Sequence, residues 1–251
     1  MKVADLLRRI DYTGSLQPDL KTLTDLQTHF IHSVPFENLD IHLGNRLVLE
    51  LEPIWEKIVH RRRGGWCYEL NETFLYLLTE LGYRAHRVAA KVLSSDHGDP
   101  YDHQTTIVSL SDTWLVDVGF GTTFSSPVLL DNDAPQPCRS GVLRTLEQQE
   151  QLCIEREAEG GWQPQLLFSK DECRRGDFAE RCHWLQTSPQ SNFTKKQLCS
   201  MLTPAGRWTL SGNHLMFDGD VRETVAEEHY LDRLGDVFGI SLGTANWISI
   251  R

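Results

Sequence analysis

The hydrophobic pattern of this chain changes its period near residue 82, and this change restricts the possible folds more than any other feature. In the first third, apolar residues recur at intervals of three and four, the spacing of one face of an α-helix. Two such sets are Val3, Leu6, Leu7 and Ile10, and Leu20, Leu23, Leu26 and Phe30. After residue 82 the apolar residues come in short runs rich in β-branched and aromatic side chains. We therefore predict a helical part of roughly eighty residues followed by an antiparallel sheet or small barrel.

Helix-ending residues and turn residues place the remaining elements. A third helix is expected from about Pro53, which suits a first turn, and a fourth from near Cys67 to Gly82. Strands are expected at 83–93, 103–110, 113–118, 152–156 and 163–168. A hairpin around 211–213 and an amphipathic helix then end the chain; the apolar residues of that helix are Leu231, Leu234 and Phe238. This order of elements predicts an α+β protein.

Composition and charge exclude several classes of function. The chain of 251 residues has 25 Lys and Arg against 35 Asp and Glu, which gives a net charge of −10. That sign disfavours binding to nucleic acid and to an anionic membrane surface. No apolar run approaches the roughly 18 residues that span a bilayer, and arginines stand at positions 8 and 9, where a signal peptide is apolar. We predict a cytoplasmic protein, either a monomer or a homodimer.

One of the six cysteines stands in a distinctive setting, the run RGGWCYELN at 63–71. The two glycines allow a sharp turn before a helix, which would put Cys67 in the first helical turn. Unpaired N–H groups and the positive end of the helix dipole favour a thiolate there. Cys67 is a candidate nucleophile, and a buried core cysteine is the alternative that the local sequence leaves open. Because no Cys-x-x-Cys pair occurs, we predict reduced thiols and no metal site.

A nucleophilic thiol needs a base and a group that orients the base. His103 opens the strand-like run HQTTIVSL, and Asp117 interrupts the apolar run TWLVDVGFG. If these runs are adjacent antiparallel strands joined by a turn at 111–112, His103 and Asp117 can lie side by side. The histidines that compete for the role of base include His86, His97 and His183. A Cys-His-Asp triad is therefore geometrically possible on these grounds.

Six segments together resemble the signature segments of the arylamine N-acetyltransferase family. They are PFENL at 35–39, RGGWCYELN at 63–71, RVAAKV at 87–92, the Asp-His pair at 102–103, LVDVGFG at 115–121 and SPQSNFT at 188–194. The segments follow the family order over most of the chain. RGGxCxExN together with DVGFG is much more specific than a single short motif.

The resemblance implies a three-part, cysteine-protease-like architecture. Its parts would be an N-terminal helical bundle at 1–82 carrying the nucleophile, a central antiparallel β-barrel at 83–186 carrying the base and the acid, and a C-terminal α/β lid at 187–251. It also implies ping-pong chemistry, in which acetyl-CoA acylates the cysteine and an arylamine or hydrazine, such as a xenobiotic amine, then takes the acetyl group. No metal is implied.

The family motifs also imply roles for particular residues. The triad would consist of Cys67 as nucleophile, His103 as base and Asp117 as orienting acid. The residues expected next to the acyl donor are Gly119, Phe120 and Gly121, and those expected to line the substrate pocket are Phe36, Val92 and Phe193. The supporting residues would be Asn71, which could hydrogen-bond to Asp117, and the ion pair of Arg63 and Glu37.

Other functions share these residues. Some family relatives are amide synthases that use a carrier-bound polyketide as acyl donor, and the same triad could serve both reactions. A Cys-His-Asp hydrolase or a transglutaminase-like enzyme would have the same triad with a different acyl acceptor. A binding module on the same fold would have an unreactive cysteine at position 67.

Overall fold

The computed structural model describes residues 1–94, 98–121 and 124–243, and its N-terminal part is mainly helical. The elements there are Val3–Arg9 (α1), Leu20–Ser33 (α2), the short strand Phe36–Glu37 (β1), Leu39–His42 (α3), Leu51–Trp55 (α4) and Cys67–Glu80 (α5). The helix expected from Pro53 in fact starts at Leu51, because proline fits throughout a first turn, where its missing N–H has no helical partner. A π-helical turn at Glu56–His60 continues α4.

The apolar faces of the helices form a core that extends into the barrel. The fully buried members of the two predicted sets are Leu6, Ile10, Leu23, Leu26 and Phe30. They pack with the apolar face of α5 and with Val108 and Val116, which come from barrel strands. α5 is therefore held directly against the barrel.

Residues 84–168 contribute an antiparallel eight-stranded sheet that curls into a nearly closed barrel. Its strands are Arg84–Val92 (β2), His103–Ser109 (β3), Thr113–Val116 (β4), Val128–Leu129 (β5), Gln136–Cys138 (β6), Gly141–Gln148 (β7), Gln151–Ala158 (β8) and Gly161–Phe168 (β9). Their order in the sheet is β5-β4-β3-β2-β9-β8-β7-β6. The side chain of Gln136 joins the two edge strands, since it accepts a hydrogen bond from the N–H of Leu129 (2.8 Å) and donates one to its carbonyl (2.9 Å).

The sequence pattern predicts only part of this barrel. β2, β3, β4, β8 and β9 coincide with predicted runs, whereas β5, β6 and β7 are not predicted. β5 and β6 are two and three residues long, too short to show an alternating pattern. β4 ends at Val116, so Asp117 follows this strand instead of interrupting it.

The remainder of the described chain forms helices and a second sheet. Its elements are Ala179–Thr187 (α6), Asn192–Lys195 (α7), Leu198–Leu202 (β10), Arg207–Ser211 (β11), His214–Phe217 (β12), Asp220–Thr224 (β13) and Tyr230–Phe238 (α8). The predicted hairpin at 211–213 joins β11 to β12, and the predicted last helix is α8. The end of the expected lid, residues 244–251, lies outside the described residues.

β1 is the edge strand of this second sheet, although it belongs to the N-terminal part of the sequence. The sheet order is β1-β10-β11-β12-β13, with Phe36 opposite Ser200. A two-residue strand has no sequence signature of its own, which is why the sequence pattern does not predict this pairing. The PFENL segment therefore connects the C-terminal sheet with the loop that precedes α5.

Candidate active site

Cys67 is the first residue of α5, and the loop before it is held in place by close packing. Trp66 is the N-cap residue, and its N–H donates to Glu69 Oε2 (3.1 Å). A Cβ atom on Gly64 would lie 2.0 Å from the carbonyl oxygen of Pro35. Position 64 therefore has room for glycine alone. Neither Gly64 nor Gly65 has the positive φ of a glycine turn. The prediction that these glycines allow a sharp turn is corrected, because Gly64 is needed for close packing instead.

His103 and Asp117 are brought together by the pairing of β3 with β4. Thr106 lies opposite Val116 in this antiparallel pair. Continuing the register puts Asp117 opposite Thr105 and therefore diagonal to His103 on the same face. The Nε2–H of His103 donates to Asp117 Oδ2 at 2.5 Å.

The Asp117 carboxylate is buried and accepts several hydrogen bonds. Its Oδ1 accepts from Asn71 Nδ2 (3.2 Å) and from the N–H of Gly119 (2.8 Å). Asn71 also accepts from the N–H of Val118 (2.9 Å), so one side chain of α5 fixes both the carboxylate and the backbone after it. This agrees with the expected hydrogen bond between Asn71 and Asp117. Such contacts offset the cost of burying a charge.

The environment of His103 strongly favours its protonated form. Burial of the imidazole lowers its pKa, but the charge of Asp117 and its hydrogen bond oppose this effect. A hydrogen bond between His103 and the Cys67 thiol acts in the same direction as Asp117. Together they raise the pKa of His103 from 6.5 to about 10. Near pH 7 the site can therefore hold an imidazolium beside the thiol.

Asp102, the residue before His103, also contacts α5. The Asp102 carbonyl oxygen lies 4.0 Å from Cys67 Sγ and accepts from the Tyr68 hydroxyl (3.3 Å). The Asp102 carboxylate accepts from Arg181 Nε (2.7 Å), and this guanidinium stacks on Trp184 at 4.0 Å. The ion pair ties α6 to the start of β3. Sequence reasoning missed Arg181, because no local pattern marks the partner of a distant carboxylate.

The competing histidines lie elsewhere or cannot be described. His86 Nε2 bonds to the carbonyl of Lys170 at 3.0 Å, and His183 is exposed on α6. His97 lies outside the described residues. Among the described histidines, His103 is the one that contacts Cys67.

A cleft of about 420 Å³ opens above the thiol and the imidazole. The residues expected beside the donor and in the pocket all line it: Phe36, Val92, Gly119, Phe120, Gly121 and Phe193. The ring of Phe120 packs edge-on against His103 at 5.1 Å. Lining residues that the sequence did not indicate include Arg181, Trp184, Lys195 and Ser200. The cleft is large enough for a small organic acyl acceptor.

Gly119 and Gly121 have different structural requirements. A Cβ atom on Gly119 would lie 2.7 Å from Cys67 Cα and 2.8 Å from Asn71 Nδ2. Gly119 therefore allows a close approach between the loop after β4 and α5. Gly121 has φ +76°, a conformation that favours glycine.

The predicted Arg63–Glu37 ion pair belongs to a larger buried charge cluster, which we define as Glu37, Asp40, Lys57, Arg63 and Glu69. Arg63 Nη2 lies 2.7 Å from Glu37 Oε1, and Lys57 Nζ lies 2.7 Å from Asp40 Oδ2 and 2.9 Å from Glu69 Oε2. Although burial opposes ionisation of Asp40, the cations Lys57 and Arg63 lower its pKa to about 2. The cluster braces the segment around Trp66.

Neither a metal-binding cluster nor a membrane-spanning helix occurs in the part of the chain that the structure describes. No group of three or more His, Cys, Asp or Glu side chains is arranged to hold a metal ion there. Within the same residues, no helix is both long and apolar enough to cross a bilayer. All six cysteines are free thiols.

Comparison with known proteins identifies the family of this chain. A family model described as N-acetyltransferase matches residues 19–248. The pineal gland isozyme NAT-10 of arylamine N-acetyltransferase from Gallus gallus is 34% identical over 276 residues, covering 96% of this chain and 95% of the relative. The chain belongs to the arylamine N-acetyltransferase family. An arylamine N-acetyltransferase from Mycolicibacterium smegmatis is 32% identical over 260 residues, covering 97% of this chain and 93% of its own length.

The family's solved structures share the fold. The arylamine N-acetyltransferase of Mycobacterium marinum, solved in complex with CoA, superimposes with a TM-score of 0.86 at 30% identity and covers 95% of this chain and 93% of its own. The predicted three-part fold of helices, antiparallel barrel and a further α/β part is thereby confirmed. Family membership also confirms the prediction of an acyltransferase enzyme.

Proposed function

We propose that this enzyme transfers an acetyl group from acetyl-CoA to arylamines or hydrazines through an acetyl thioester on Cys67. Cys67 would be the nucleophile, His103 the base and Asp117 the acid that orients the base. The observation that carries the proposal is the 2.5 Å hydrogen bond from His103 to Asp117 beside the buried thiol at the start of α5. The complex of the M. marinum relative with CoA supports the choice of donor.

In the first half-reaction, the Cys67 thiolate attacks the carbonyl carbon of the acetyl thioester. The bond from that carbon to the CoA sulfur breaks, and the departing CoA thiolate takes the proton of the His103 imidazolium. Thiolate attack on a thioester exchanges one carbon–sulfur bond for another, so the barrier is modest once the thiol is ionised. The raised pKa of His103 supports this step, because the imidazolium both stabilises the thiolate and supplies the proton.

In the second half-reaction, the amine nitrogen attacks the acetyl carbon of the thioester on Cys67. His103, now neutral, accepts the proton that the developing ammonium must lose. The Cys67 thiolate leaves, and the thiolate–imidazolium pair is restored. The cycle is balanced, since one proton passes from His103 to CoA and one returns to His103 from the amine.

Water competes with the amine for the thioester, and the burial of the site opposes this competition. Cys67 is 3% exposed and His103 2% exposed. Phe120 packs against His103, and Phe36 and Phe193 line the same cleft. An apolar wall of this kind excludes bulk water while admitting an aromatic amine.

The direct test is release of free thiol from acetyl-CoA by the purified enzyme, with and without a simple arylamine or hydrazine. We expect sustained release only with the amine, recovery of the acetylated amine, and one acetyl group on Cys67 when the amine is omitted. Cys67→Ala should abolish all three. Cys153→Ala is the matched control, because that thiol is also buried (2% exposed) but lies on β8.

Each alternative function gives a different result in the same assay. No acylation from acetyl-CoA by an enzyme whose Cys67 reacts with iodoacetamide would point to another donor, as in an amide synthase. Thiol release that does not depend on the amine would indicate a hydrolase. A Cys67 inert to iodoacetamide would indicate a binding module.

A further inference from the structure

The ion pair of Asp102 and Arg181 lies in the wall of the cleft that contains the candidate nucleophile. Both residues line this cleft together with Cys67. Arg181 Nε donates to Asp102 Oδ1 at 2.7 Å, and Arg181 Nη2 lies 2.5 Å from the same oxygen. The side chain of Arg181 is 11% exposed and that of Asp102 is 5% exposed. Water therefore screens these charges little, and each acts strongly on its neighbours.

Both partners of this pair are held by further contacts. Asp102 Oδ2 accepts from the N–H of Asp99 (2.8 Å), and the Asp102 carbonyl oxygen lies 4.0 Å from Cys67 Sγ. The Arg181 guanidinium stacks on Trp184, 4.0 Å from the centre of its ring. The hydrogen bond from Asp99 would keep the Asp102 carboxylate in place even without Arg181.

The titratable and charged groups around the Cys67 thiol come from each element that packs against it. Within the described residues they are Tyr68 and Glu69 on α5, Asp102 just before β3, His103 on β3, Asp117 after β4, and Arg181 and Cys182 on α6. Two exposed cations complete this set, Lys195 on α7 and Arg46 before α4.

Each carboxylate of this set is balanced by a cation. Glu69 pairs with Lys57 of the charge cluster, and Asp117 pairs with the imidazolium beside it. In the described part of the chain, Arg181 is the one cation paired with Asp102. Removing Arg181 would therefore leave an unpaired negative charge next to the thiol.

The Tyr68 hydroxyl shows that the two charges of the pair act in opposite directions beside Cys67. Burial is the largest cause that raises the pKa of Tyr68, and charge on the Cys67 and Cys182 sulfurs raises it next. Asp102 raises this pKa further, whereas Arg181 lowers it. The neighbouring thiol follows the same rule, because a nearby anion opposes a new negative charge and a nearby cation favours it.

We propose that Arg181 is a positioning residue that favours ionisation of Cys67 by neutralising Asp102. The inference rests on the proposed function, in which Cys67 is the nucleophile. Arg181 acts through Asp102 and takes no part in bond making at the acetyl carbon. The imidazolium of His103 stabilises the thiolate directly, and the ion pair prevents a second carboxylate from cancelling that effect.

The test is the rate at which iodoacetamide alkylates Cys67 as a function of pH, because this reaction reports the thiolate without an acetyl donor. Peptide mass spectrometry separates Cys67 from the other free thiols. In Arg181→Met we expect the midpoint of the profile to rise by about one pH unit, which makes alkylation roughly tenfold slower below the midpoint. In Asp102→Asn the unpaired guanidinium should lower the midpoint instead. The double variant should return it close to the wild-type value.

Opposite shifts in the two single variants distinguish this electrostatic role from a merely structural one. If the pair only held α6 against β3, both single variants would disturb the site in the same direction, and the double variant would not recover. Arg181→Lys keeps the positive charge but loses the planar guanidinium. It should therefore shift the midpoint far less than Arg181→Met.

Arg175→Met is the matched control. Arg175 precedes α6 and ties the same segment to α5, since its Nε donates to Glu72 Oε1 at 2.9 Å. Arg87 holds the other oxygen of Glu72, with its Nε at 2.9 Å. Removing Arg175 therefore loosens the segment without leaving a carboxylate unpaired, and the midpoint should stay at the wild-type value.

Several results would overturn the inference. They are an unchanged midpoint in a folded Arg181→Met enzyme, shifts of the same sign in both single variants, and a double variant without recovery. A higher KM for the amine with an unchanged alkylation profile would assign Arg181 to substrate binding instead. If the expected shifts occur but acetyl-CoA does not acylate Cys67, the proposed function fails while the role of Arg181 in ionising the thiol stands.

Discussion

Gly119 packs so tightly against Cys67 that a Cβ atom at position 119 would lie 2.7 Å from the Cys67 Cα atom. Gly119→Ala must therefore displace either the loop after β4 or the first turn of α5, which carry Asp117 and Cys67 of the proposed triad. We expect acetyl transfer to fall by about a hundredfold or more, because a misplacement of about 1 Å is enough for such a loss. Steady-state kinetics checks this. Gly176→Ala is the matched control, since no atom lies within 4 Å of its added methyl group.

Asp117→Asn should keep the fold and most of the hydrogen bonds but remove the charge that favours the His103 imidazolium. We expect acetyl transfer to fall on the order of 10³- to 10⁴-fold, and alkylation of Cys67 by iodoacetamide at pH 7 to slow markedly. Mass spectrometry of the alkylated protein gives the rate. Asp112→Asn, in the exposed β3–β4 turn, should react like the wild type. An unchanged alkylation rate in Asp117→Asn would remove Asp117 from the triad.

The raised pKa of His103 also predicts how stability depends on pH. The folded protein holds the His103 proton up to about pH 10, whereas the unfolded chain releases it near 6.5. The folded state therefore binds more protons in this range, and the contribution of His103 is full below pH 6.5 and disappears as pH rises through 10. Urea unfolding at pH 6, 8 and 10 should show a difference between wild type and His103→Gln that shrinks with pH. A constant difference would contradict the assignment.

Lys57→Met should be strongly destabilising, because it leaves the Glu69 carboxylate buried without its ion-pair partner and Asp40 with Arg63 alone. Removing one partner from a buried ionic group costs about 3–5 kcal/mol. Urea denaturation measures the change in the free energy of unfolding. Lys21→Met removes an exposed lysine paired with Asp25 and should leave stability unchanged. Similar midpoints for the two variants would mean that the charge cluster is not structurally important.

The local sequence makes a Cys-His-Asp arrangement geometrically possible, and the resemblance to the family motifs assigns the three roles. A short turn joins β3 to β4, and the register of this hairpin places Asp117 diagonally opposite His103. The glycines and the helix start make Cys67 a candidate nucleophile and leave a buried core cysteine as the alternative. The supporting role of Asn71 comes from the family motifs.

The rest of the site depends on pairs of residues far apart in the chain. Lys57 joins the charge cluster through a π-helical turn that no local pattern indicates. Arg181 meets Asp102 only after the barrel and α6 are in place. Long-range ion pairs of this kind leave no periodic trace in the sequence, so the structure alone reveals them.

The pairing of β1 also bears on the order in which the enzyme matures during synthesis. The carbonyl of Gly65 accepts from the N–H of Glu37, so β1 braces the loop beside Cys67, while its other edge pairs with β10. β10 begins at Leu198, so it is synthesised after the helices and the barrel strands. A nascent chain can therefore contain its helices and barrel strands well before the loop beside Cys67 acquires its final support. The surroundings of the thiol are complete only after β10 has been synthesised.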